Sequence, residues 1–332
     1  MLYLIQEGYK KLNNKIVIEK NTESHVCRIP GIVCTQNGTL LGYYECRNSL
    51  SDWAEIDLKI IRSNDDGKTW DVVKIISGNG ETLNNPVMTV CGDEIIFMYC
   101  ENYKRLFISK SHDDGKTFSD GVFLSDFMDK IDFFYNAMAI GPGHGIVHND
   151  TILLPVWFAY NKEEPESHRP SFISTIYSVD GGNTWSMGER IGEDFLVNPS
   201  ECALVVLENG DVFISIRNEN QNRKRAAAIS KNGYSLWSAV EFVENLTDPI
   251  CQGSVISKGN EIFHINCDSE TERENLTVKI SDDNFKTFRS IYVEEKGGYS
   301  DIAIKDDKLY VLYESDVLNT VGGCICFKTI EI

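Results

Sequence analysis

SNDDGKTW at 63–70, SHDDGKTF at 111–118, SVDGGNTW at 178–185 and a weaker SDDNFKTF at 281–288 are copies of one short pattern. The three clear copies share S-x-D-x-G-x-T-[WF], and each element has a local physical use. Ser and Asp side chains bond backbone N–H groups a residue or two along, Gly takes a positive φ, and the terminal aromatic packs back beneath the turn. Each box therefore reads as a self-satisfied hairpin turn. The flanks agree: IDLKIIR before the first box and RLFISK before the second alternate apolar and polar residues with period two. A degenerate copy, SKNGYSLWS at 230–238, keeps the opening Ser, the Gly and the Trp but has Asn232 where Asp is expected.

With that copy included, the starts at Ser63, Ser111, Ser178, Ser230 and Ser281 are spaced at about the length of a four-stranded propeller blade, with one longer interval. Five such units and the strands after the last box make six blades. SDIAIKD, KLYVLYE and CICFKTIEI supply three strands of the sixth, and an N-terminal strand from about Lys15 to Lys20 completes it. That closure removes the open sheet edges. The expected fold is all-β: a six-bladed β-propeller of four-stranded antiparallel blades over 1–332, read as a single domain because no Pro- or Ser-rich linker divides it. The longer interval holds DFFYNAMAIGPGHG and NKEEPESHRP, both read as loops over a face.

Composition restricts the partners. With 32 Lys and Arg against 50 Asp and Glu, the net charge of −18 argues against sequence-independent binding to nucleic acid or an anionic membrane surface. An anionic ligand would need a local cluster of Arg or Lys. No apolar run is long enough for a membrane span, and MLYLIQEGYKKLNN lacks the basic-then-apolar pattern of a secretory signal. The ten cysteines lie mostly inside strand-like runs without tight paired spacing, which reads as reduced, buried thiols of a cytoplasmic protein. A leader removed earlier would make secretion the alternative. His144 and His148 lie in a Gly-rich stretch that is no helix, so they read as surface or turn residues. Neither a catalytic metal nor a cofactor is expected.

The boxes are scaffold, so function must be sought elsewhere. Arg28 in CRIPGIV, Arg217 in VFISIRNEN, Arg273 in SETERENLTVKI and Glu201 in NPSECALVVL each sit beside an apolar run. A charge there is costly unless it is paired or reaches a polar cavity. For any one of them, a strand-end salt bridge suffices as an explanation. Together they point to the central depression on which the inner strands of a propeller converge.

At this point the chain resembles exo-α-sialidases (neuraminidases) of the bacterial and animal type, the Asp-box glycoside hydrolases, over nearly its whole length. The resemblance rests on an ordered series: R-I-P at 28–30, ECRNSLSDWAE, NNP at 84–86, GPGHGI followed by LLPVW, SECALVVLENGDVFISIRN, QGS at 252–254, R-x-x-L-T-V at 273–278, YSD at 299–301 and LYE at 312–314. It implies that Arg28, Arg217 and Arg273 hold a sugar carboxylate, which suits a planar, always-charged fork. Glu314 would steady Arg28, and Arg47 would contact ring substituents. Asp52 would be the general acid and later the base for water. Tyr299 would be the nucleophile, with Glu201 as its base. A neutral phenol avoids the repulsion that the substrate's own carboxylate would exert on an attacking Asp or Glu. Asn85 and Trp157 follow as further substrate contacts, and Cys27 stands where the family commonly has an aromatic. The implied activity is retaining hydrolysis of terminal sialic acid from oligosaccharides, glycoproteins or glycolipids. Transfer instead of hydrolysis, another nonulosonic acid, or a carbohydrate-binding propeller without catalysis stay open as alternatives.

Overall fold

A computed structural model describes residues 14–316 and 322–332, which form six sheets arranged as blades, each with four antiparallel strands. Blade 1 runs outward through Val26–Cys34, Leu40–Arg47, Ile56–Ser63 and Asp71–Ile76. Burial falls along that order: the inner strand is buried almost throughout, Ile56–Ser63 alternates, and the outermost strand is half exposed. This gradient explains why the inner strands read as continuous apolar runs with period two appearing only further out. The inner strands of the other blades are Leu83–Cys91, Ala137–Ile140, Cys202–Val206, Ser254–Lys258 and Gly297–Lys305. Among the described residues, no helix is long and apolar enough to cross a membrane.

The ring closes as the sequence implies. Gly297–Lys305, Lys308–Ser315 and Cys324–Glu331 form three strands of blade 6, and Ile16–Lys20 adds antiparallel to the last of these, with Ile16 opposite Phe327 and Lys20 opposite Cys324.

Each box joins the third and fourth strands of its blade. In the first, Ser63 Oγ donates to Asp65 Oδ1 (2.8 Å) and accepts from Gly67 N (3.0 Å). Asp65 in turn accepts from Thr69 N (2.9 Å) and Thr69 Oγ1 (2.7 Å). The same bonds recur around Asp113, Asp180 and Asp283. Gly67 has φ +79°, which favours glycine, and a Cβ there would meet the Phe327 ring of the neighbouring blade at 2.2 Å. The weaker box has Phe285 at that place, also at positive φ, with its ring buried. Hydrogen bonds from Thr69 backbone and side chain hold the Asp65 carboxyl down at about 2.

The interval between the second and third boxes departs from expectation. NKEEPESHRP is a loop, but DFFYNAMAIGPGHG is not: its Ala137–Ile140 is the inner strand of blade 3, paired with residues 156–159. Gly143–His144 then runs parallel to Val87 and Met88 of blade 2. His144 is consequently no surface residue. Its ring is almost wholly buried, with Nδ1 2.8 Å from Asp301 Oδ1, and Asp301 also accepts from Ser254 Oγ and Ile32 N. This carboxylate ties four blades together at the axis.

Candidate active site

Three inner strands carry the same irregularity where they begin. Register shifts fall between Arg28 and Gly31, between Asn84 and Val87, and between Gly297 and Ser300. Ile29 (φ 55°) and Asn85 (φ 51°) take left-handed conformations within two of them. Pro30 and Pro86 sit at these breaks, where the ladder asks no N–H of them. Such bulges re-aim side chains, and here the residues they present are Arg28, Asn85 and Tyr299. The second strands contribute from their far ends: Arg47 closes Leu40–Arg47, Arg217 follows Val212–Ile216, and Glu314 lies near the end of Lys308–Ser315. Starts of first strands and ends of second strands share one face of an antiparallel blade. The boxes, after the third strands, lie on the opposite face.

On that face is a depression of about 660 Å³, counting its open mouth, lined by Arg28, Arg47, Asp52, Asn85, Trp157, Glu201, Arg217, Arg273 and Tyr299. Every residue inferred from the resemblance is therefore brought to one place, with Glu314 just behind. No box residue lines it.

Tyr299 is the centre. Its hydroxyl donates to Glu201 Oε1 at 2.6 Å and accepts from Arg217 Nη1 at 2.8 Å, while Arg217 also pairs with Glu201 Oε2. The guanidinium carbons of Arg28 and Arg273 each lie 5.2 Å from the Tyr299 ring centroid. Burial raises the Tyr299 pKa, the Arg217 charge opposes that, and Glu201 adds to the rise, so the resting group is a phenol whose proton faces a carboxylate.

Glu314 is wholly buried and acts as a bracket. It accepts from Arg28 Nε (2.8 Å), Ile29 N (3.0 Å) and Tyr299 N (3.0 Å), fixing two of the presented residues relative to each other. Burial alone would raise its pKa, but the Arg28 charge and hydrogen bonds outweigh that and hold it as a carboxylate. Arg273 makes no hydrogen bond or ion pair within the described residues, so its fork is open to the depression.

Asp52 follows Arg47 on the loop between the second and third strands of blade 1, with Oδ1 2.7 Å from Arg47 Nη1 and a side chain 46% exposed. Its burial on the inner side favours the neutral form, but Arg47 prevails through charge and hydrogen bond and lowers the pKa. Arg47 is held from behind by Glu45, whose other oxygen accepts from Asn85 N at 2.8 Å.

Sequence reasoning missed Glu45, Tyr103, His168 and Glu219. Glu45 had a signal, since in E-C-R it shares a strand face with Arg47. Tyr103 and His168 pack against Trp53 and Trp157 from loops, in tilted and edge-on contacts. Four polar atoms of the lining, Asn85 Nδ2, Trp157 Nε1, His168 Nε2 and Arg217 Nε, are buried without a hydrogen-bond partner. Unpaired polar atoms gathered along one lining suit a polar ligand.

Fold and site together define a six-bladed, box-stapled propeller with an arginine-rich, tyrosine-centred pocket at its axis. The chain belongs to the BNR repeat-like domain family, whose sequence model matches residues 71–311. It is similar to a sialidase of Bacteroides fragilis, 28% identical over 91% of this chain and 62% of that protein, and to a sialidase of Clostridium perfringens, 29% identical over 87% and 86%. It thus spans about six tenths of the length of the Bacteroides relative. Among solved structures, the Hadza microbial sialidase Hz136 superposes with a TM-score of 0.79 at 24% identity, over 92% of this chain and 66% of that one. Trypanosoma rangeli sialidase in complex with 2,3-difluorosialic acid, described as a covalent intermediate, superposes with a TM-score of 0.74 at 20% identity, over 96% and 57%. These two likenesses establish the fold.

Proposed function

We propose that the protein is a retaining exo-α-sialidase that releases terminal sialic acid from glycans through a covalent intermediate on Tyr299. The observation that carries this reading is the Tyr299 hydroxyl at 2.6 Å from Glu201 Oε1 among three arginines. The sialidases similar in sequence support the substrate class.

The substrate carboxylate enters the fork of Arg28, Arg217 and Arg273, and the unpaired polar atoms of Asn85, Trp157 and His168 take its ring substituents. As the glycosidic bond breaks, the anomeric carbon gains positive charge. The adjacent carboxylate is held ionised by the arginines, so that charge is not left alone. Tyr299 attacks while Glu201 accepts its proton, which answers the weak nucleophilicity of a buried phenol. Asp52 donates a proton to the leaving oxygen. In the free protein Arg47 keeps Asp52 ionised, so the proton is acquired when substrate displaces water and engages Arg47. In the second half, Asp52 takes a proton from water, and Glu201 returns one to Tyr299. A cytoplasmic setting remains part of the proposal, supported by ten free thiols.

The test is turnover of an aryl α-sialoside from mildly acidic to neutral pH, followed by proton NMR. The reading expects the α-anomer of free sialic acid as the first product. First appearance of the β-anomer would rule out the tyrosyl intermediate, and no release of sugar would rule out the activity.

A further inference from the structure

On the reverse side of the strands that carry Arg28 and Arg47, four metal-ligating residues converge. Cys27 and Cys46 are Cα partners across Val26–Cys34 and Leu40–Arg47. Because side chains alternate along a strand, both thiols point away from the face that presents Arg28, Glu45 and Arg47. His25 Nε2 lies 3.3 Å from Cys27 Sγ and 2.7 Å from Oε1 of Glu19, on the outermost strand of blade 6. One donor atom from each of Glu19, His25, Cys27 and Cys46 falls within 4.8 Å of all the others.

We infer that this cluster is a structural zinc site. Around tetrahedral zinc, with bonds of about 2.3 Å to sulfur and about 2.0 Å to nitrogen or oxygen, donors stand roughly 3.3–3.8 Å apart. Closing the widest pair by about 1 Å and opening the 2.7 Å His25–Glu19 pair by about 0.6 Å gives that geometry. Two thiolates, an imidazole and a carboxylate select zinc over the hard cations magnesium and calcium. Binding converts both thiols to thiolates, and their two protons pass to solvent.

The surroundings suit the charge. A doubly positive ion with two thiolates and a carboxylate carries one net negative charge, and Lys59 supplies one positive charge beside it. Lys59 Nζ contacts Glu19 Oε2 at 2.5 Å and Oε1 at 2.8 Å, and Tyr44 Oη donates to Oε2 at 2.6 Å. With Oε2 held by both, Oε1 is the oxygen turned toward His25 and the metal. Such outer partners orient a ligating carboxylate. The His25 side chain is 37% exposed, which gives the ion a path inward.

The site would join the two ends of the ring. Glu19 belongs to the strand that completes blade 6, whereas His25, Cys27 and Cys46 belong to blade 1 and the turn entering it. The ion would clip the seam of the propeller directly behind two arginines of the pocket, independently of what chemistry the pocket performs.

The experiment uses tag-free, reduced protein. Cobalt(II) is titrated in and the thiolate-to-cobalt charge-transfer absorption followed, with zinc then added in competition and bound zinc counted by mass spectrometry. One equivalent of tetrahedral, thiolate-bound cobalt displaced by zinc is expected. The Cys27→Ser/Cys46→Ser double variant should lose the charge-transfer band. His25→Ala, in a part-exposed turn, should keep the fold by circular dichroism and weaken zinc binding by at least about tenfold. Zinc should raise Tm in wild type and not in the cysteine variant. Should the double variant fail to fold, His25→Ala still decides. Absence of a stoichiometric thiolate–cobalt spectrum in wild type, unchanged affinity in His25→Ala, or a Cys27–Cys46 disulfide formed in place of metal binding would each overturn the inference.

Discussion

The box turns and the axial pocket are built from the same blades and obey opposite rules. At the boxes the repeated Ser, Asp, Thr and Trp are answered within a few residues: Asp65 is bonded by Ser63 and Thr69, and Trp70 Nε1 by Gly67 O. In the pocket the central partners come from far away in the chain, as with Tyr299 and Glu201 or Arg28 and Glu314, and several polar atoms have none. Local satisfaction gives a turn whose polar groups are already occupied and do no chemistry. Long-range, incomplete satisfaction gives a place that costs stability and is completed by a ligand. The comparison teaches that the most repeated feature of a sequence can be the least functional.

Changes on the two faces should therefore differ in kind. Tyr299→Phe should lower kcat on an aryl sialoside by about a thousandfold or more while the melting curve stays close to wild type. Asp52→Ala should lose about 10²–10⁴-fold on a natural glycan. Its loss should be far smaller on an aryl sialoside, whose leaving group needs little protonation. A loss equal on both substrates would remove the assignment of Asp52 as the acid.

Glu314→Gln tests the bracket behind the pocket. It leaves the buried Arg28 without its counter-charge, and the expected cost is about 3–5 kcal/mol of unfolding free energy in urea. Wild-type stability in that variant would show that Arg28 is neutralised by something else.

A pH profile sharpens the comparison further. Asp52 is held below its ordinary pKa by Arg47, so Arg47→Gln removes a positive charge and the pKa must rise. Because Asp52 must be protonated to act as the acid, the basic limb of kcat/KM should move to higher pH. A shift to lower pH would contradict the pairing.

The smallest effect belongs to a box. The folded-state pKa of Asp65, about 2, lies below its unfolded value. Its contribution to stability is therefore complete above about pH 4 and lost as pH falls toward 2. Asp65→Asn should lower Tm by a few degrees at neutral pH, flatten the fall of Tm between about pH 4 and 2, and leave kcat unchanged. A changed kcat would mean that the box face communicates with the pocket.

These rules also explain what the sequence disclosed. Box chemistry is local, so the turns, the blade count and the closure by Ile16–Lys20 were legible from spacing alone. Ala137–Ile140 was not: a four-residue strand followed by Gly-Pro-Gly has too little periodic signal, and its partners at 156–159 lie beyond a detour through Gly143–His144. His144 was misread because only the tertiary fold brings Asp301 to it. The core of the site was reached through an ordered motif series, since no single embedded arginine would have identified it. Tyr103 and His168 come from loops, whose residues carry no period.

The central claim is that Glu201 and the surrounding arginines make Tyr299 a nucleophile toward a carboxylate-bearing sugar. Its most direct test is incubation with 2,3-difluorosialic acid, rapid acid quench, and peptide mapping by mass spectrometry. The account predicts one fluorosialyl adduct, on the peptide containing Tyr299, absent in Tyr299→Phe. An adduct on Glu201 or Asp52, or slow turnover of the reagent in wild type with no adduct on any peptide, would contradict it.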